Sequence, residues 1–250
     1  MISYVWFCQS AGLGVFFEFS DYKKFIERRF EYSQVPNPIV FSLQWLFASL
    51  TFLGIFILVS PYFYIELCYT KEFEQQYSFA YRIFYYHVSM SLKRFYYYNP
   101  FCISTGAIVA CGLGYNGIKD GHHKWDKVVG VYWKELEMST SPVEMLRHWN
   151  HQVHLWLKFY VMERLTPEGK RPGTFENMFT FMVSALWHGF YPCYYIMFFV
   201  AGMLGEVAKD LYRAKILFSF IPGIVQTLLA NQLSFLFLNY CGILFSALTW

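Results

Sequence analysis

The chain has 250 residues, of which 56% are hydrophobic and 15% are charged, and its formal net charge is +3. With a mean hydropathy of +0.29, this composition argues against a soluble globular protein and favours a membrane protein, whereas the small net charge decides little. The length suits one domain of several spanning helices, since each helix needs roughly 20 apolar residues.

The first half of the chain contains one clear spanning segment. Residues 4–19 are apolar but short and interrupted by glycine, which is typical of a re-entrant element. Residues 39–65 carry no charged side chain and outlast the hydrocarbon core, so they predict a spanning helix. Residues 77–92 and 101–115 are shorter apolar pieces separated by charged residues and a tyrosine cluster, and we expect each to cross only partly.

A polar region and a helix start follow. Residues 116–141 form a charged, glycine-bearing loop that must lie outside the hydrocarbon. Ser141 is a candidate N-cap, Pro142 takes the first helical position, and Glu144 follows three residues after the cap, a combination that predicts a helix N-terminus.

The helix predicted from this start is amphipathic, so we expect it at the membrane interface or in a polar cavity. One face carries Trp149, Trp156 and Phe159, and another carries Arg147, His151 and Lys158. After it, residues 175–207 form a long apolar segment around His188. Residues 215–250 are long enough for one or two further spans, broken near Pro222.

Histidines raise the alternative of a membrane di-iron site. Such a site needs roughly eight histidines in clustered boxes, because two irons must be ligated by neutral imidazoles. The chain has seven, and the pair in "GHHK" lacks an upstream partner. We therefore predict no metal site and place these histidines on a polar helix face or in a loop: His122, His123, His148, His151 and His154.

The pair of His188, in "SALWHGFY", and Asn150, in "RHWNHQVHLW", is a stronger candidate. We expect His188 to be buried, and an ionisable residue in a membrane segment is a functional candidate, although in a soluble helix it would be a satisfied core residue. An imidazole can take a proton from an alcohol near neutral pH, and an amide can orient the hydroxyl or donate to an oxyanion. The lack of a GxSxG elbow or an adjacent cysteine argues against a covalent acyl-enzyme.

The same residues carry a family resemblance. "SALWHGFYPCYY" resembles the histidine motif of the membrane-bound O-acyltransferase (MBOAT) superfamily, and "RHWNHQVHLWLKFYVMERL" resembles the asparagine motif that precedes it, in matching order and spacing. "GLGYNG" followed by "KWDKV", with "FFEFSDYKKF" upstream, is similar to the lysophospholipid acyltransferase branch. The resemblance runs from about residue 16 to about residue 205.

The resemblance implies an all-α, polytopic transmembrane helical bundle with short re-entrant and amphipathic helices around a buried chamber. It also implies acyl transfer from acyl-CoA to the free hydroxyl of a lysophospholipid, the step that remodels phospholipids. In that reaction His188 is the general base and Asn150 positions the acceptor or the thioester carbonyl. Acyl-CoA is a co-substrate, and no metal or bound cofactor is needed.

Further residues are assigned to the substrates on the same basis. Trp149 and Trp187 would wall the chamber, with interfacial packing as the alternative. Arg147, Lys158 and Arg164 would meet the phosphates of CoA, with anchoring of a helix end as the alternative. The expected partners are acyl-CoA, a lysophospholipid and the bilayer, without nucleic acid, in a multi-pass protein of the endoplasmic reticulum membrane.

Residues 1–250 are expected to form one MBOAT-type domain, and a partial one, because family members have additional helices before "FEFSDY" and the chain ends in an apolar stretch. Two alternatives stay open: an O-acyltransferase with a protein or neutral-lipid acceptor, and an inactive membrane protein that keeps the fold. A transporter is disfavoured, because the chain shows no paired broken helices and no intramembrane carboxylate chain.

Overall fold

The computed structural model of the chain describes residues 2–7, 15–214 and 222–247, whose regular secondary structure is almost entirely helical. The helices are α1 (Ile2–Val5), α2 (Phe19–Ile26), α3 (Ile39–Val59), α4 (Lys71–Gln76), α5 (Phe79–Ala110), α6 (Trp133–Glu137), α7 (Pro142–His148), α8 (His151–Leu157), α9 (Glu163–Leu165), α10 (Thr174–His188), α11 (Pro192–Ala214) and α12 (Gly223–Ala247). Short 3-10 turns cover Phe30–Gln34, Ser60–Tyr62 and Ile65–Tyr69, and a π-helical turn covers Lys158–Met162.

One β-hairpin lies in the polar loop, where β1 (Ile118–Lys119) pairs antiparallel with β2 (His122–His123). Asp120 and Gly121 connect the strands with φ of 52° and 76°. A two-residue hairpin loop favours positive φ at both positions, which Asp-Gly adopts readily. The described part of the chain is therefore all-α apart from this small hairpin.

Within the described residues, two helices are long and apolar enough to cross a membrane: Ile39–Tyr62, with a mean hydropathy of 2.0, and Gly223–Ser246, with a mean hydropathy of 1.5. Only 11% of the first apolar window and 28% of the second are buried, whereas the core helix of a soluble protein would be mostly covered. The first helix confirms the span predicted at residues 39–65. Of the other predicted segments, residues 8–14 and 215–221 lie outside the described residues.

Helix α5 corrects the prediction of two separate apolar pieces. It is one helix of 32 residues, about 48 Å long at 1.5 Å per residue, and it continues through Pro100. The ammonium of Lys93 lies 5.7 Å and 5.9 Å from the ring centres of Tyr96 and Tyr97, and Arg94 is buried. The helix accommodates both cations because its own aromatic residues and its packing partners cover them.

The chain divides into two compact units. Unit 1 comprises Met1–Tyr64, Leu92–Tyr132 and Asn150–Val153, and unit 2 comprises Ile65–Ser91, Trp133–Trp149 and His154–Trp250. The expectation of one domain over residues 1–250 stays a prediction.

Unit 1 is held by a polar and small-residue contact between α3 and α5. Ser42 Oγ donates to the carbonyl of Gly106 over 2.9 Å. A Cβ added to Gly106 would lie 3.1 Å from Trp45 Cβ. Small residues and hydroxyls of this kind let apolar helices pack closely where water does not drive association.

Lys127 ties two distant stretches of unit 1 together. Its Nζ lies 3.6 Å from an Asp21 oxygen and donates to Glu31 over 3.0 Å. Asp21 belongs to "FFEFSDYKKF" and Lys127 to "KWDKV". Nearby, the buried Tyr32 hydroxyl donates to the carbonyl of Leu113 over 2.9 Å. The two motifs therefore meet through ion pairs at the edge of a shared apolar core.

Unit 2 is built on the antiparallel pair α10 and α11. Gly202 of α11 packs so closely on Met178 of α10 that an added Cβ would lie 2.7 Å from its sulfur. Asn177 Nδ2 donates to Glu206 over 3.0 Å, which satisfies part of the carboxylate between the two helices. These contacts fix how the N-terminal part of α10 packs on α11.

Helix α12 docks on the same unit. The Asn231 amide donates to the carbonyls of Glu137 and Ser139 over 3.2 Å and 2.8 Å. Further along the helix, Asn239 Nδ2 and His87 Nδ1 lie 3.2 Å apart. Polar contacts at two levels set the rotation of this otherwise apolar helix, since each polar group needs its partner.

Candidate functional site

His188 is the last residue of α10, and glycine sets this position. The helix starts where the Glu176 carboxylate accepts from the Gly173 N–H over 2.8 Å. It ends because Gly189 takes φ of 122°, a conformation that L side chains rarely adopt. Since α11 starts at Pro192, the apolar segment predicted at residues 175–207 is two helices with a sharp turn after His188.

Three aromatic rings hold the imidazole of His188. Phe198 stacks on it with a centroid distance of 5.1 Å and an interplanar angle of 23°. Phe245 meets it edge-on, at 5.0 Å and 89°, and Tyr194 lies at 5.7 Å. Tyr194 and Phe198 are one helical turn apart on α11, and Phe245 belongs to α12. Residues of two helices therefore contact the imidazole.

The structure corrects the expectation that His188 is buried, because its side chain retains substantial exposed surface. Helix α10 has 15 residues, about 22 Å, and is shorter than a membrane span of about 30 Å. Desolvation by the packed rings lowers the pKa of His188 below its ordinary value. The imidazole is therefore accessible and favours its neutral, proton-accepting form.

Asn150 lies in a break between α7 and α8, at φ of 44°. The break corrects the prediction of one continuous amphipathic helix. The N-cap prediction is confirmed, since the Ser141 hydroxyl accepts from the Val143 N–H over 3.3 Å, but the helix ends at His148. The chain resumes where the His151 N–H donates to the carbonyl of Gly130 over 2.8 Å.

The side-chain oxygen of Asn150 is buried and has no hydrogen-bond partner among the residues that the structure describes. A buried amide oxygen without a donor costs about 1–3 kcal/mol. Asparagine adopts the left-handed region more readily than most residues, so the backbone conformation adds little to this cost. An unpaired buried group of this kind is typical of functional sites, where a substrate group supplies the missing donor.

The predicted faces of the amphipathic helix do not persist, because residues before and after Asn150 belong to separate helices and a π-helical turn follows at Lys158–Met162. Trp149 caps α7, because its backbone N–H donates to the carbonyl of Met145 over 2.9 Å. Trp187 is exposed and meets Trp156 edge-on at 5.0 Å. Of the two predicted wall residues, Trp187 thus adjoins His188 in sequence and presents an open ring.

The three predicted phosphate-binding cations have different environments. Lys158 lies 3.8 Å from a Glu163 oxygen and lines an open depression of about 500 Å³ together with Lys170. The guanidinium of Arg164 lies 5.0 Å from the centre of the Tyr160 ring. Arg147 occupies the last turn of α7. Lys158 is thus the one of the three that lines this depression.

The sequence as a whole matches the family model of MBOAT, the membrane-bound O-acyltransferase family, over residues 1–244. The chain belongs to this family. It is a membrane protein with the all-α fold of that family, in agreement with its two span-length helices. The matched residues include Asn150 and His188.

Several curated relatives of this MBOAT chain are named as lysophospholipid acyltransferases. It is 30% identical to Lysophospholipid acyltransferase 2 of Arabidopsis thaliana over 224 residues, 85% of this chain and 48% of that protein. It is 34% identical to Lysophospholipid acyltransferase of Saccharomyces cerevisiae, over 73% of this chain and 30% of that protein. It is also 30% identical to Membrane-bound glycerophospholipid O-acyltransferase 1 of Mus musculus, over 72% of this chain and 38% of that protein. The chain spans about half the length of these relatives or less.

The predicted site residues of the MBOAT chain fall into both units. Asn150 belongs to unit 1. The others belong to unit 2: Arg147, Trp149, Lys158, Arg164, Trp187 and His188. The roles of all seven stay predictions.

Sequence reasoning missed the residues that surround the MBOAT histidine. Tyr194 and Phe198 have a spacing of four that places them on one helix face, a signal that was present in "YPCYYIMFF". No local pattern connects Phe245 to His188, because that contact depends on how α12 docks. Lys170, in the depression with Lys158, was also missed.

Proposed function

We propose that this protein transfers a fatty acyl group from acyl-CoA to the free hydroxyl of a lysophospholipid. The observation that carries the proposal is an exposed imidazole, His188, held by three rings at a helix end within a chain of the MBOAT family. The similarity to proteins named lysophospholipid acyltransferases supports the choice of acceptor.

The reaction follows from the chemistry of the two substrates. The neutral imidazole of His188 takes the proton of the acceptor hydroxyl as its oxygen attacks the thioester carbonyl carbon. A C–O bond forms, the C–S bond breaks, and the electron pair leaves with the sulfur of CoA. The imidazolium then returns the proton to the thiolate. The products are a two-chain phospholipid and free CoA, and the balance needs no metal ion or bound cofactor.

Asn150 positions a reacting group in this proposal. Its amide nitrogen can donate to the oxygen of the acceptor hydroxyl or to the thioester carbonyl oxygen, while its buried Oδ1 can accept from another N–H or O–H of a bound substrate, since the one hydrogen of the reacting hydroxyl goes to His188. The amide oxygen without a partner supports a position of Asn150 against the substrates, because a donor group of a bound substrate would satisfy it.

The remaining assignments concern substrate binding. Trp187, exposed beside His188, is proposed to contact the acyl chains, and Trp149 is proposed to wall the same chamber. Lys158, Arg164 and Arg147 are proposed to meet the CoA phosphates. The proposal also includes a multi-pass location in the endoplasmic reticulum membrane, and two span-length helices support more than one crossing.

The test measures transfer from radiolabelled acyl-CoA to a panel of lysophospholipids, with a diacylglycerol and a peptide as alternative acceptors, in membranes that contain the chain. Removal of a general base should lower the rate by about 10²–10⁴-fold, so His188→Ala should lose product. His122→Ala changes an exposed histidine of the hairpin and should retain it. Product that persists in His188→Ala, or wild-type transfer only to diacylglycerol or peptide, would contradict the proposal.

A further inference from the structure

The three rings around His188 are the only ring contacts that its imidazole makes among the described residues, and no described side chain forms a hydrogen bond or ion pair with it. Catalytic histidines commonly depend on a carboxylate or carbonyl to fix their orientation. Here the described surroundings supply aromatic faces and edges instead. The contacts that can fix the orientation of the imidazole are therefore those with Tyr194, Phe198 and Phe245.

Phe198 and Phe245 are well suited to hold a ring in place. Both lie at the edge of the core cluster that contains Met197 and Cys241, so their own rotamers are limited by packing. One stacks on the face of the imidazole and the other meets it at 89°. A parallel and a perpendicular contact together restrict the ring in two directions, whereas a single contact would leave it free to slide.

We propose that Phe198 and Phe245 are positioning residues that orient the imidazole of His188 for proton transfer, in place of a hydrogen-bonded carboxylate. This inference rests on the function proposed above. Because Phe245 comes from α12, the docking of that apolar helix sets the geometry of the base. The polar contacts of Asn231 and Asn239 hold α12 at the required rotation.

Charged groups do not account for the lowered pKa of His188, which comes from desolvation. Tyr194 of α11 is the titratable group in ring contact with it. The sequence of α12 contains no Asp, Glu, Lys or Arg. The neighbouring elements carry charged residues that form no ion pair with His188 in the described structure: Glu176 at the opposite end of α10, Glu206 with Lys209, Lys158 with Glu163, and Glu144, Arg147 and His148 on α7.

The test compares Phe198→Leu and Phe245→Leu with Phe198→Tyr and Phe245→Tyr, which keep the ring. Misplacing a base costs up to about 100-fold in rate, so we expect kcat to fall at least about tenfold in the leucine variants with little change in KM, and to recover with tyrosine. The leucine variants would leave a larger part of the imidazole open to water. Its pKa would then rise towards the ordinary value, and the acidic limb of the kcat/KM profile would move to higher pH.

Phe235→Leu is the matched control. Phe235 lies on the same helix, is buried and packs on His87, so its loss should destabilise the protein at least as much. It should not move the acidic limb, because it does not contact His188.

A readout independent of activity separates this inference from the proposed function. Histidine-ring NMR titration of the whole chain in detergent, with the His188 signal identified by its loss in His188→Gln, reports the pKa directly. A rise in Phe245→Leu and Phe198→Leu but not in Phe235→Leu is the expected result. An unchanged titration in both leucine variants overturns the inference. A titration that moves as expected in a protein that transfers no acyl group would overturn the proposed function instead.

Discussion

Asn99 and Ser49 bind each other through three hydrogen bonds between α5 and α3. The Asn99 amide donates to the Ser49 hydroxyl over 2.7 Å and to the Ser49 carbonyl over 3.1 Å, and that hydroxyl donates to the Asn99 carbonyl over 3.1 Å. Because α3 is a span-length helix with most of its surface uncovered, this polar contact specifies which face it turns to α5.

Replacing Asn99 with leucine should weaken this helix contact. The change leaves a buried serine hydroxyl without its amide donor, so we expect a loss of about 1 kcal/mol in the free energy of unfolding. The measurement is the unfolding midpoint in detergent. Thr51→Val is the control, because Thr51 is exposed and its hydroxyl bonds only within its own helix, to Phe47. Equal midpoints for Asn99→Leu and Thr51→Val would contradict the assigned role.

A second prediction concerns Gly106, which packs against the same helix. An added Cβ would lie 3.1 Å from Trp45 Cβ and 3.4 Å from the Ser42 carbonyl, and overpacking of this kind costs about 1–3 kcal/mol. We therefore expect Gly106→Ala to lower thermal stability. Gly54→Ala is the matched control, because a Cβ at Gly54 meets nothing within 4 Å and alanine favours the helix. A Gly106→Ala variant as stable as Gly54→Ala would show that the helices are not in close contact.

The sequence predicts features that depend on local composition and misses features that depend on tertiary packing. The span at residues 39–65 was predictable, because apolar length alone decides it. The unity of α5 was not, since Lys93 and Arg94 resemble a boundary until their covering residues are known. His188 was found from its motif, but its exposure and its contact with Phe245 depend on tertiary docking. Asparagine is one of the residues that adopt the left-handed region, but the helical pattern around Asn150 continued on both sides and concealed the break.

A third prediction uses the acid sensitivity of Glu31. Desolvation acts to raise the pKa of this carboxyl, but hydrogen bonds from its own backbone and from Lys127, with the charges of Lys127 and Lys24, outweigh it and lower the pKa. The unfolded chain therefore takes up the proton at a higher pH than the folded chain. The stabilisation is complete at neutral pH and is lost as the pH falls through the folded pKa.

Glu31→Gln should consequently be less stable than wild type at pH 7, by up to about 1 kcal/mol for a partly exposed pair, and the difference should shrink at pH 4 or below. Unfolding midpoints of both proteins across this range give the measurement. Glu74→Gln removes a carboxylate that is 74% exposed and 3.8 Å from Arg82, and should have little effect at neutral pH. If the difference in stability between wild type and Glu31→Gln grew as the pH fell, the folded chain would not lower the pKa of Glu31.

The last prediction separates chemistry from backbone conformation at Asn150. Glycine adopts the left-handed region freely and alanine does not, so Asn150→Gly keeps the break between α7 and α8, whereas Asn150→Ala strains it by roughly 1–2 kcal/mol. Both variants lose the amide. If the amide positions a reacting group, both should lose acyl transfer to a similar extent, while only the alanine variant loses thermal stability.

Initial rates from labelled acyl-CoA and unfolding midpoints, measured on the same preparations, distinguish the two roles. Activity that survives in Asn150→Gly and fails in Asn150→Ala would mean that the residue serves the turn alone, and the general base would then act without an amide at this position. Loss in both, with the glycine variant as stable as wild type, would place the amide in the reaction itself. The unpartnered oxygen favours the second result, because its burial costs free energy that a donor group of a bound substrate recovers.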